Sequence, residues 1–263
     1  MGLRITILGC GGSGGVPLVG NVWGNADPAE PRNRRRRPSI LVQNDDTTIL
    51  VDTGPDMREQ LNDAGVTRLD GVLYTHAHAD HAHGIDDLRA VNWLQHAPVN
   101  LYGDTETIGT LTRRFDYCFA AAEVKPPHFP RPVLIPHIIN GPFSIGSIDI
   151  LPFEQDHGYS RSMGFRFGPF GYSTDVVHLS DEAFGILDGV DTWIVDCVRL
   201  APPHPVHAHW DITKGWIERL QPRRAILTHM NQSMDYATLR AMLPAGVEPA
   251  YDGMVIVPGG QGD

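Results

Sequence analysis

Short apolar runs alternate with polar turns along most of the chain. This alternation predicts strands at 3–8, 39–43, 47–52, 71–75, 98–102, 143–152, 163–168, 171–174, 192–197, 224–228 and 253–257. Apolar residues at helical spacing predict helices at 55–64, 85–94, 105–115, 180–187, 211–220 and 234–243. The early part is rich in strands and the later part alternates strand with helix. This order favours an α/β fold, a four-layer αββα sandwich, over a doubly wound parallel sheet.

Turn residues and loops set the expected boundaries of these elements. Asp211 is expected to cap the helix at 211–220, and Gly65 to close the first helix. Proline-rich stretches at 125–127 and 201–205 predict rigid surface loops. No internal repeat or low-complexity linker divides the 263 residues, so we predict a single domain over 1–263.

Three histidines and one aspartate stand within six positions, directly after an apolar run: His76, His78, Asp80 and His81. Alternate residues of an extended segment point the same way, so the first two can bind one ion together. The other two stand where the chain turns away and can reach a second ion. Imidazole and carboxylate without thiolate favour Zn, Mn or Fe. The alternative is a polar turn rich in histidine, but the ligand types and spacing predict a binuclear metalloenzyme with two divalent ions, Zn or Mn.

Further ligands must come from elsewhere, because one motif cannot complete two coordination spheres. His157, Asp175 and His229 each follow an apolar, strand-like run and stand where a turn begins. Each residue alone is more often an ordinary loop residue than a ligand. Their combination with the first motif makes them the expected remaining ligands.

The order of these residues resembles the metallo-β-lactamase superfamily of hydrolases. The segments 51–54 and 227–230 are similar to an early and the last strand-end motif of that fold. The resemblance implies the following ligand sets: His76, His78 and His157 for one metal, Asp80, His81 and His229 for the other, and Asp175 bridging both. Aspartate rather than cysteine at the bridging position is typical of the phosphodiesterase and ribonuclease branches of the superfamily.

Three further segments, at 9–17, 31–39 and 83–89, resemble the carbon–phosphorus lyase accessory phosphodiesterases. That group cleaves a phosphoribosyl cyclic phosphate, which implies a small phosphodiester substrate here. Two cations about 3.5–4 Å apart would activate a shared water as nucleophile. Asp80 and Asp175 are expected to accept hydrogen bonds from that water. His209 resembles the family's catalytic histidine that is not a ligand and is assigned as general acid, with His207 as the weaker competitor.

Two other features have both a functional and an ordinary interpretation. Asp52 resembles the buried aspartate that orients ligand histidines in this family, but it is equally a simple strand-end turn residue. The basic run from Arg32 to Arg37 could clamp a substrate phosphate, because guanidinium groups suit phosphate oxygens. More often such a run is a solvated loop or pairs with acidic neighbours.

Charge and composition limit the partners. The formal net charge is −10, which argues against a long nucleic acid and is compatible with a small anionic substrate near metal ions. No apolar run is long enough to span a membrane, which needs about 18 residues. The three cysteines are odd in number and far apart, which fits a cytoplasmic protein without disulfides. The resemblance also suggests a homodimer.

Three alternative functions stay open at this point. A transfer-RNA 3′-processing endoribonuclease would share the core, but it would carry an inserted basic arm that this sequence lacks. A metal-binding carrier without turnover would be free to lose ligands, and the predicted ligand set is complete. A hydrolase of carboxyl or thioester substrates would use the same metals.

Overall fold

The computed structural model describes residues 2–120 and 131–259, which form two seven-stranded sheets and eight α-helices. The strands are β1 (Arg4–Gly9), β2 (Ser39–Gln43), β3 (Thr48–Val51), β4 (Gly71–Leu73), β5 (Val99–Gly103), β6 (Leu134–Ile138), β7 (Phe143–Ile145), β8 (Ile148–Asp156), β9 (Arg161–Phe167), β10 (Phe170–Ser173), β11 (Thr192–Asp196), β12 (Arg224–Thr228), β13 (Val247–Pro249) and β14 (Val255–Ile256). The helices are α1 (Met57–Asp63), α2 (Ala79–Ala82), α3 (Leu88–Gln95), α4 (Thr105–Arg114), α5 (Asp116–Phe119), α6 (Asp181–Leu187), α7 (Trp210–Leu220) and α8 (Tyr236–Met242).

The two sheets have the same design. The first has the order β14-β1-β2-β3-β4-β5-β6, antiparallel as far as β3 and parallel from β3 onward. The second has the order β13-β12-β11-β10-β9-β8-β7, parallel as far as β10 and antiparallel beyond it. Parallel strands of one sheet end at the same edge. Each of the two sheets therefore brings the C-terminal ends of its parallel strands to one edge.

The core follows from the period of two along the strands. Ile40 and Val42 of β2 pack in a cluster that also contains Trp193 of the second sheet. The residue between them, Leu41, faces the opposite way and packs with residues such as Leu88 of α3 in a separate cluster. One face of the first sheet therefore meets the second sheet and the other meets helices. The predicted four-layer αββα sandwich is confirmed.

Two strands were not predicted, and one predicted strand is a hairpin. The missed strands β6 and β13 contain Pro136 and Pro249. Both strands lie at sheet edges, where proline is tolerated because its position needs no ladder hydrogen bond. The stretch predicted as one strand at 143–152 folds back at Gly146, whose φ of +55° suits a tight turn. Only two residues, Gly146 and Ser147, separate the apolar ends of the two strands, and this short interruption hides the turn.

Helix starts and loops differ from expectation in a few places. The predicted cap Asp211 was wrong, because α7 begins at Trp210 and His209 is its N-cap. The helix predicted at 85–94 begins with a 3₁₀ turn at 85–87 before α3. The proline-rich loop at 201–205 is a largely exposed irregular segment as predicted, whereas 125–127 lies outside the described residues.

The three cysteines are free and buried, so the expectation of no disulfide among them holds. Within residues 2–120 and 131–259, no helix has both the length and the apolar character needed to cross a bilayer.

Candidate metal centre

The predicted ligands stand at strand ends that the sheets bring to one place. In the first sheet, His76 follows β4 and the short helix α2 then presents Asp80 and His81. In the second sheet, the strands β8, β10 and β12 point the same way and are followed by His157, Asp175 and His229. The two halves of the candidate site therefore come from different sheets.

The structure brings together all seven residues proposed from the sequence, in two groups. The ligand atoms within each group lie within 4.8 Å of one another. The first group is His76, His78 and His157, and the second is Asp80, His81, Asp175 and His229. These are the sets that the resemblance implied.

Asp175 lies between the two groups. Its Oδ1 is 3.6 Å from His157 Nε2 and 3.9 Å from His76 Nε2, both in the first group. The same carboxylate reaches the second group, with 3.3 Å to His229 Nε2 and 3.1 Å from Oδ2 to His81 Nε2. A single side chain that contacts both groups has the position of a bridging ligand.

Buried atoms without partners show that this donor set suits cations. Nε2 of His76, His81 and His229 and Oδ2 of Asp80 are buried and have no hydrogen-bond partner within the described residues. Buried polar groups are rarely left in this state, because each unpaired group costs about 1–3 kcal/mol. Imidazole nitrogens and carboxylate oxygens are ligands of Zn and Mn, so the residues fit two divalent ions.

The Nδ1 atoms of His81 and His157 are hydrogen-bonded, which fixes the orientations of these two rings, whereas Nδ1 of His229 has no partner within the described residues. His81 Nδ1 donates to Asp52 Oδ2 at 2.7 Å, and His157 Nδ1 donates to the Val206 carbonyl at 2.7 Å. Asp52 is fully buried and also accepts hydrogen bonds from the backbone and hydroxyl of Thr75, each at 2.8 Å. Asp52 thus has the orienting position that the resemblance implied. Such bonds hold Nε2 toward the centre.

The charges in this centre balance one another across short distances. Burial lowers the pKa of His76 well below its usual value, and His81 adds to this effect by repulsion. Burial also disfavours the charged form of His229, but Asp175 and Asp80 outweigh it and raise the pKa to about 9. Burial would raise the pKa of Asp175, yet His229 and His81 hold it well below the usual range. Without metal, protons on imidazoles supply the positive charge that a cation would bring.

His207 is a further buried histidine in this cluster. Its Nδ1 donates to Asp196 Oδ2 at 2.9 Å, and its Nε2 lies 3.9 Å from Asp175 Oδ1. Its ring stacks on His229, with the centroids 4.4 Å apart. A histidine whose one nitrogen is held by a carboxylate and whose other faces the reaction site is typical of proton transfer.

His209, assigned as general acid from the sequence, is also buried but has other contacts. It is the N-cap of α7, and its Nε2 is 3.8 Å from the exposed carboxylate of Asp211. His207, rather than His209, belongs to the clusters of potential ligand groups in the described residues. The geometry favours the residue that the sequence analysis ranked second.

The basic run forms ion pairs with acidic neighbours. Arg36 pairs with Asp63 and Asp252, Arg37 with Asp56, and Arg32 with Glu30. Two other members are also engaged: Arg35 is buried and donates to Asn33 and the Asn231 carbonyl, and Arg34 lies over the Trp23 ring. These contacts favour the structural interpretation of the run over a phosphate clamp.

The sequence model of the family described as "Beta-lactamase superfamily domain" matches residues 47–230, which contain all seven candidate ligands. The chain belongs to the metallo-β-lactamase superfamily. A solved structure titled as a new diphosphatase from the PhnP family is 31% identical and has a TM-score of 0.87, with 98% of this chain and 97% of that chain covered. This match shows membership of the PhnP family.

Other relatives are more distant or match only in part. An octanoyltransferase of Porphyromonas gingivalis (strain ATCC BAA-308 / W83) is 28% identical over 96% of this chain and 51% of its own length. A ribonuclease Z of Bradyrhizobium sp. (strain ORS 278) is 31% identical over 52% of this chain and 46% of its length. This chain therefore spans about half the length of the curated relatives it matches. Zn²⁺-bound PqqB from Methylobacterium extorquens, 18% identical with a TM-score of 0.73 over 96% and 99% of the chains, shows the shared fold.

Sequence reasoning missed Asp196 altogether. It ends the buried strand β11, between β10 and β12, whose ends supply two candidate ligands. The signal that identified Asp175 and His229, a polar residue ending an apolar run, was present there too. That signal does not tell a ligand from a residue that holds a neighbouring histidine.

Proposed function

We propose that this protein is a metal-dependent phosphodiesterase that hydrolyses small phosphodiesters with two divalent ions, Zn or Mn. The observation that carries this proposal is the pair His207–Asp196 beside the bridging position of Asp175. A carboxylate at that position, together with a buried histidine free to transfer a proton, suits cleavage of a charged ester with a poor leaving group. The PhnP-family neighbour, titled a diphosphatase, supports phosphorus chemistry.

The seven candidate ligands would hold the two ions as described above. When bound, such ions would lower the pKa of a water and neutralise charge on the attacked phosphate. Asp80 Oδ2, buried and without a hydrogen-bond partner in the described part of the chain, is positioned to accept a hydrogen bond from an attacking water. Asp175 contributes a second carboxylate to the same centre, beside His81 and His229.

We assign the general acid to His207. Nδ1 donates a hydrogen bond to Asp196, so Nε2–H of the doubly protonated ring is the group that can give a proton to the leaving oxygen. The Asp196 carboxylate also stabilises the charged imidazolium before that transfer. After the transfer, the ring is neutral and Nδ1–H stays bonded to Asp196. Positioned proton transfer of this kind is typically worth ~10²–10⁴-fold in rate.

The test uses purified protein loaded with Mn²⁺ or Zn²⁺ and bis(p-nitrophenyl) phosphate as substrate. The parent should release p-nitrophenolate, and release should stop with a chelator. His207→Ala should lower kcat about 10²-fold or more while elemental analysis still finds the metals. The matched control is His209→Ala, which removes a nearby histidine from the N-cap of α7 and should keep most of the turnover.

Two results would contradict this assignment. Loss of metal together with activity in His207→Ala would make His207 a ligand instead. If His209→Ala loses turnover and His207→Ala keeps it, the original assignment from the sequence is the correct one. Absence of phosphodiester hydrolysis in metal-loaded parent protein would refute the proposed function itself.

Similarity to ribonuclease Z enzymes supports a second candidate, processing of transfer-RNA 3′ ends. The formal net charge of −10 weighs against a long nucleic acid. Incubation with precursor transfer RNA decides between the two. Specific 3′ cleavage at low enzyme concentration would rank this function first.

The location, the oligomeric state and the partners of the protein are also proposals. We infer a cytoplasmic location, because its cysteines are free thiols. A homodimer follows from the resemblance only, and light scattering of purified protein measures it. We propose a small phosphoester as the partner, with neither long nucleic acid nor membrane.

A further inference from the structure

Two separate cavities are lined by residues of the candidate metal centre. The first, which we call the His76 pocket, has a volume of about 150 Å³ and is lined by His76, His78, Glu106, Thr110, Arg114 and Ser160, among others. The second, the His207 pocket, has a volume of about 210 Å³ and is lined by residues that include Gly12, Ser13, Leu18, His204, His207 and His229. A substrate bound between them can extend into either cavity.

The position of His207 defines how a substrate is oriented relative to the two cavities. A general acid must stand within hydrogen-bond reach of the oxygen that leaves. His207 lines only the second of these two cavities, so the leaving group lies on the side of the His207 pocket. The group that stays on phosphorus then extends into the His76 pocket.

Arg114 is the residue that gives the His76 pocket its chemical character. Its Nη1 donates to the Ala77 carbonyl at 2.7 Å, and Ala77 lies between the two candidate ligands His76 and His78. This bond fixes the guanidinium beside the metal centre. Within the described residues, Nε and Nη2 of Arg114 have no hydrogen-bond partner and are available to a ligand.

Two of the other charged groups that line this pocket are engaged with neighbours, whereas the carboxylate of Glu106 also lines the pocket and adds negative charge to it. Asp104 caps α4 and accepts a hydrogen bond from Thr107 N at 2.6 Å. Arg161 pairs with Glu154 at 2.8 Å. Arg114 is thus the charged group best placed to meet an anionic substituent, and two N–H groups of a guanidinium match the oxygens of a phosphate or carboxylate.

We propose that Arg114 determines substrate specificity, by binding a second anionic group on the part of the substrate that stays on phosphorus. This inference rests on the proposed phosphodiesterase function and adds to it an orientation and a recognition residue. The favoured substrates are phosphodiesters whose retained group ends in a phosphate, phosphonate or carboxylate. Esters with a neutral retained group lack this contact.

The test compares two diesters with the same leaving group, ethyl p-nitrophenyl phosphate and 2-phosphonoethyl p-nitrophenyl phosphate, on Mn²⁺-loaded protein. The parent should prefer the phosphonate-bearing diester in kcat/KM by roughly tenfold, because charge-assisted hydrogen bonds are the stronger ones. Arg114→Gln should abolish this preference. Arg114→Lys should keep part of this preference, because lysine keeps the positive charge but lacks the paired N–H groups of the guanidinium.

A matched control separates this contact from the change in net charge. Arg240→Gln removes a positive charge that pairs with Glu248 and lines neither pocket, so the preference should survive. Elemental analysis of Arg114→Gln should find the metals unchanged. If that variant loses metal and slows both diesters equally, Arg114 acts only by holding the Ala77 turn and the inference fails.

A binding measurement distinguishes failure of this inference from failure of the proposed function. Calorimetry compares 2-phosphonoethyl phosphate and ethyl phosphate as ligands of the parent and of Arg114→Gln. Suppose that neither diester is hydrolysed but the phosphonate ligand binds about tenfold more weakly to the variant. This result would support Arg114 as the residue that binds the anionic group and would refute the proposed phosphodiesterase function. No preference in the parent, or a preference retained in Arg114→Gln, overturns the inference.

Discussion

Three residues at the centre have backbone conformations that ordinary side chains rarely adopt. Asp52, Asp175 and His229 have φ values of +65°, +55° and +58°. Asp52 and His229 directly follow β3 and β12, and Thr174 alone separates Asp175 from β10, so each left-handed turn lies at the end of a strand. A residue other than glycine in this region costs of order 1 kcal/mol. The retention of this cost at three site positions supports a functional role for the turns.

Asp52 offers a prediction about stability. Asp52→Ala leaves the buried donors of Thr75 and His81 without acceptors, so the free energy of unfolding should fall by roughly 3 kcal/mol. Urea unfolding measures the change. Asp52→Asn keeps the shape and part of the accepting capacity, and it should lose less. An Asp52→Ala protein as stable as the parent would show that these bonds contribute little.

Asp196 offers a prediction about turnover rather than metal binding. It holds His207 by Nδ1 and also accepts a hydrogen bond from the backbone of Val176 at 3.0 Å. Asp196→Asn should lower kcat on bis(p-nitrophenyl) phosphate about tenfold or more, because the ring loses its charged partner. Metal content should stay unchanged. Loss of metal in this variant would instead indicate that His207 and Asp196 help to hold the ions.

At the scale of elements, glycine allows the metal-motif turn to approach the first sheet closely. A Cβ on Gly54 would lie 2.4 Å from the backbone oxygen of Asp80, which is closer than real contacts allow. Gly54→Ala should therefore displace that turn, cost about 3 kcal/mol of stability and weaken metal binding. Gly185→Ala in α6 is the control, because its Cβ would meet nothing within 4 Å. In a helix that change should stabilise by up to about 1 kcal/mol.

The start of α8 gives a prediction about pH. Asp235 accepts hydrogen bonds from Thr238, Asn33 and the backbone of Asp27. Burial would raise the pKa of Asp235, but these donors lower it to about 2 from its ordinary 3.8. The folded state therefore favours the charged form, and this stability is present above about pH 4 and lost as the pH falls through about 2.

Asp235→Ala should accordingly cost about 1 kcal/mol at pH 7, and the difference from the parent should shrink as the pH falls below 4. Urea unfolding at pH 7 and pH 3 measures both values. Ser180→Ala removes the neutral cap of α6, which accepts from Ala183 N, and its cost should not change over this range. A pH-independent effect of Asp235→Ala would contradict the charge argument.

At the scale of the whole molecule, the metal centre joins the two sheets. Its candidate ligands follow β4 of one sheet and the ends of β8, β10 and β12 of the other. Bound ions should therefore stabilise the whole fold, by about 4 kcal/mol when free metal is a thousandfold above its Kd. Thermal unfolding with and without Mn²⁺ or Zn²⁺ measures this as a rise in Tm.

His78→Ala should abolish most of that rise, because His78 is an exposed member of the first ligand group and contributes little to the core. His96→Asn is the control: it changes a histidine outside the clusters and keeps a residue tolerant of the left-handed conformation at that position. An equal rise of Tm in His78→Ala and the parent would remove His78 from the ligand set.

The sequence by itself determined the layered architecture and the seven candidate ligands. Both are local signals: the period of apolar residues selects strand or helix, and the candidate ligands come after strands, four of them after β4 and the other three after β8, β10 and β12. The edge strands β6 and β13 were not predicted, because their short proline-containing runs lack that period of apolar residues. The hairpin of β7 and β8 was not predicted for a different reason, because only two residues, Gly146 and Ser147, separate the apolar ends of the two strands.

Only the tertiary structure distinguished the contacts of His207 from those of His209, revealed Asp196, and paired the arginine run with acidic residues. These outcomes depend on distances between segments far apart in the chain. Two histidines two positions apart on an irregular segment look alike in the sequence. One is held by the carboxylate that ends β11 and the other starts a helix, because the path of the backbone alone sets which ring reaches the centre.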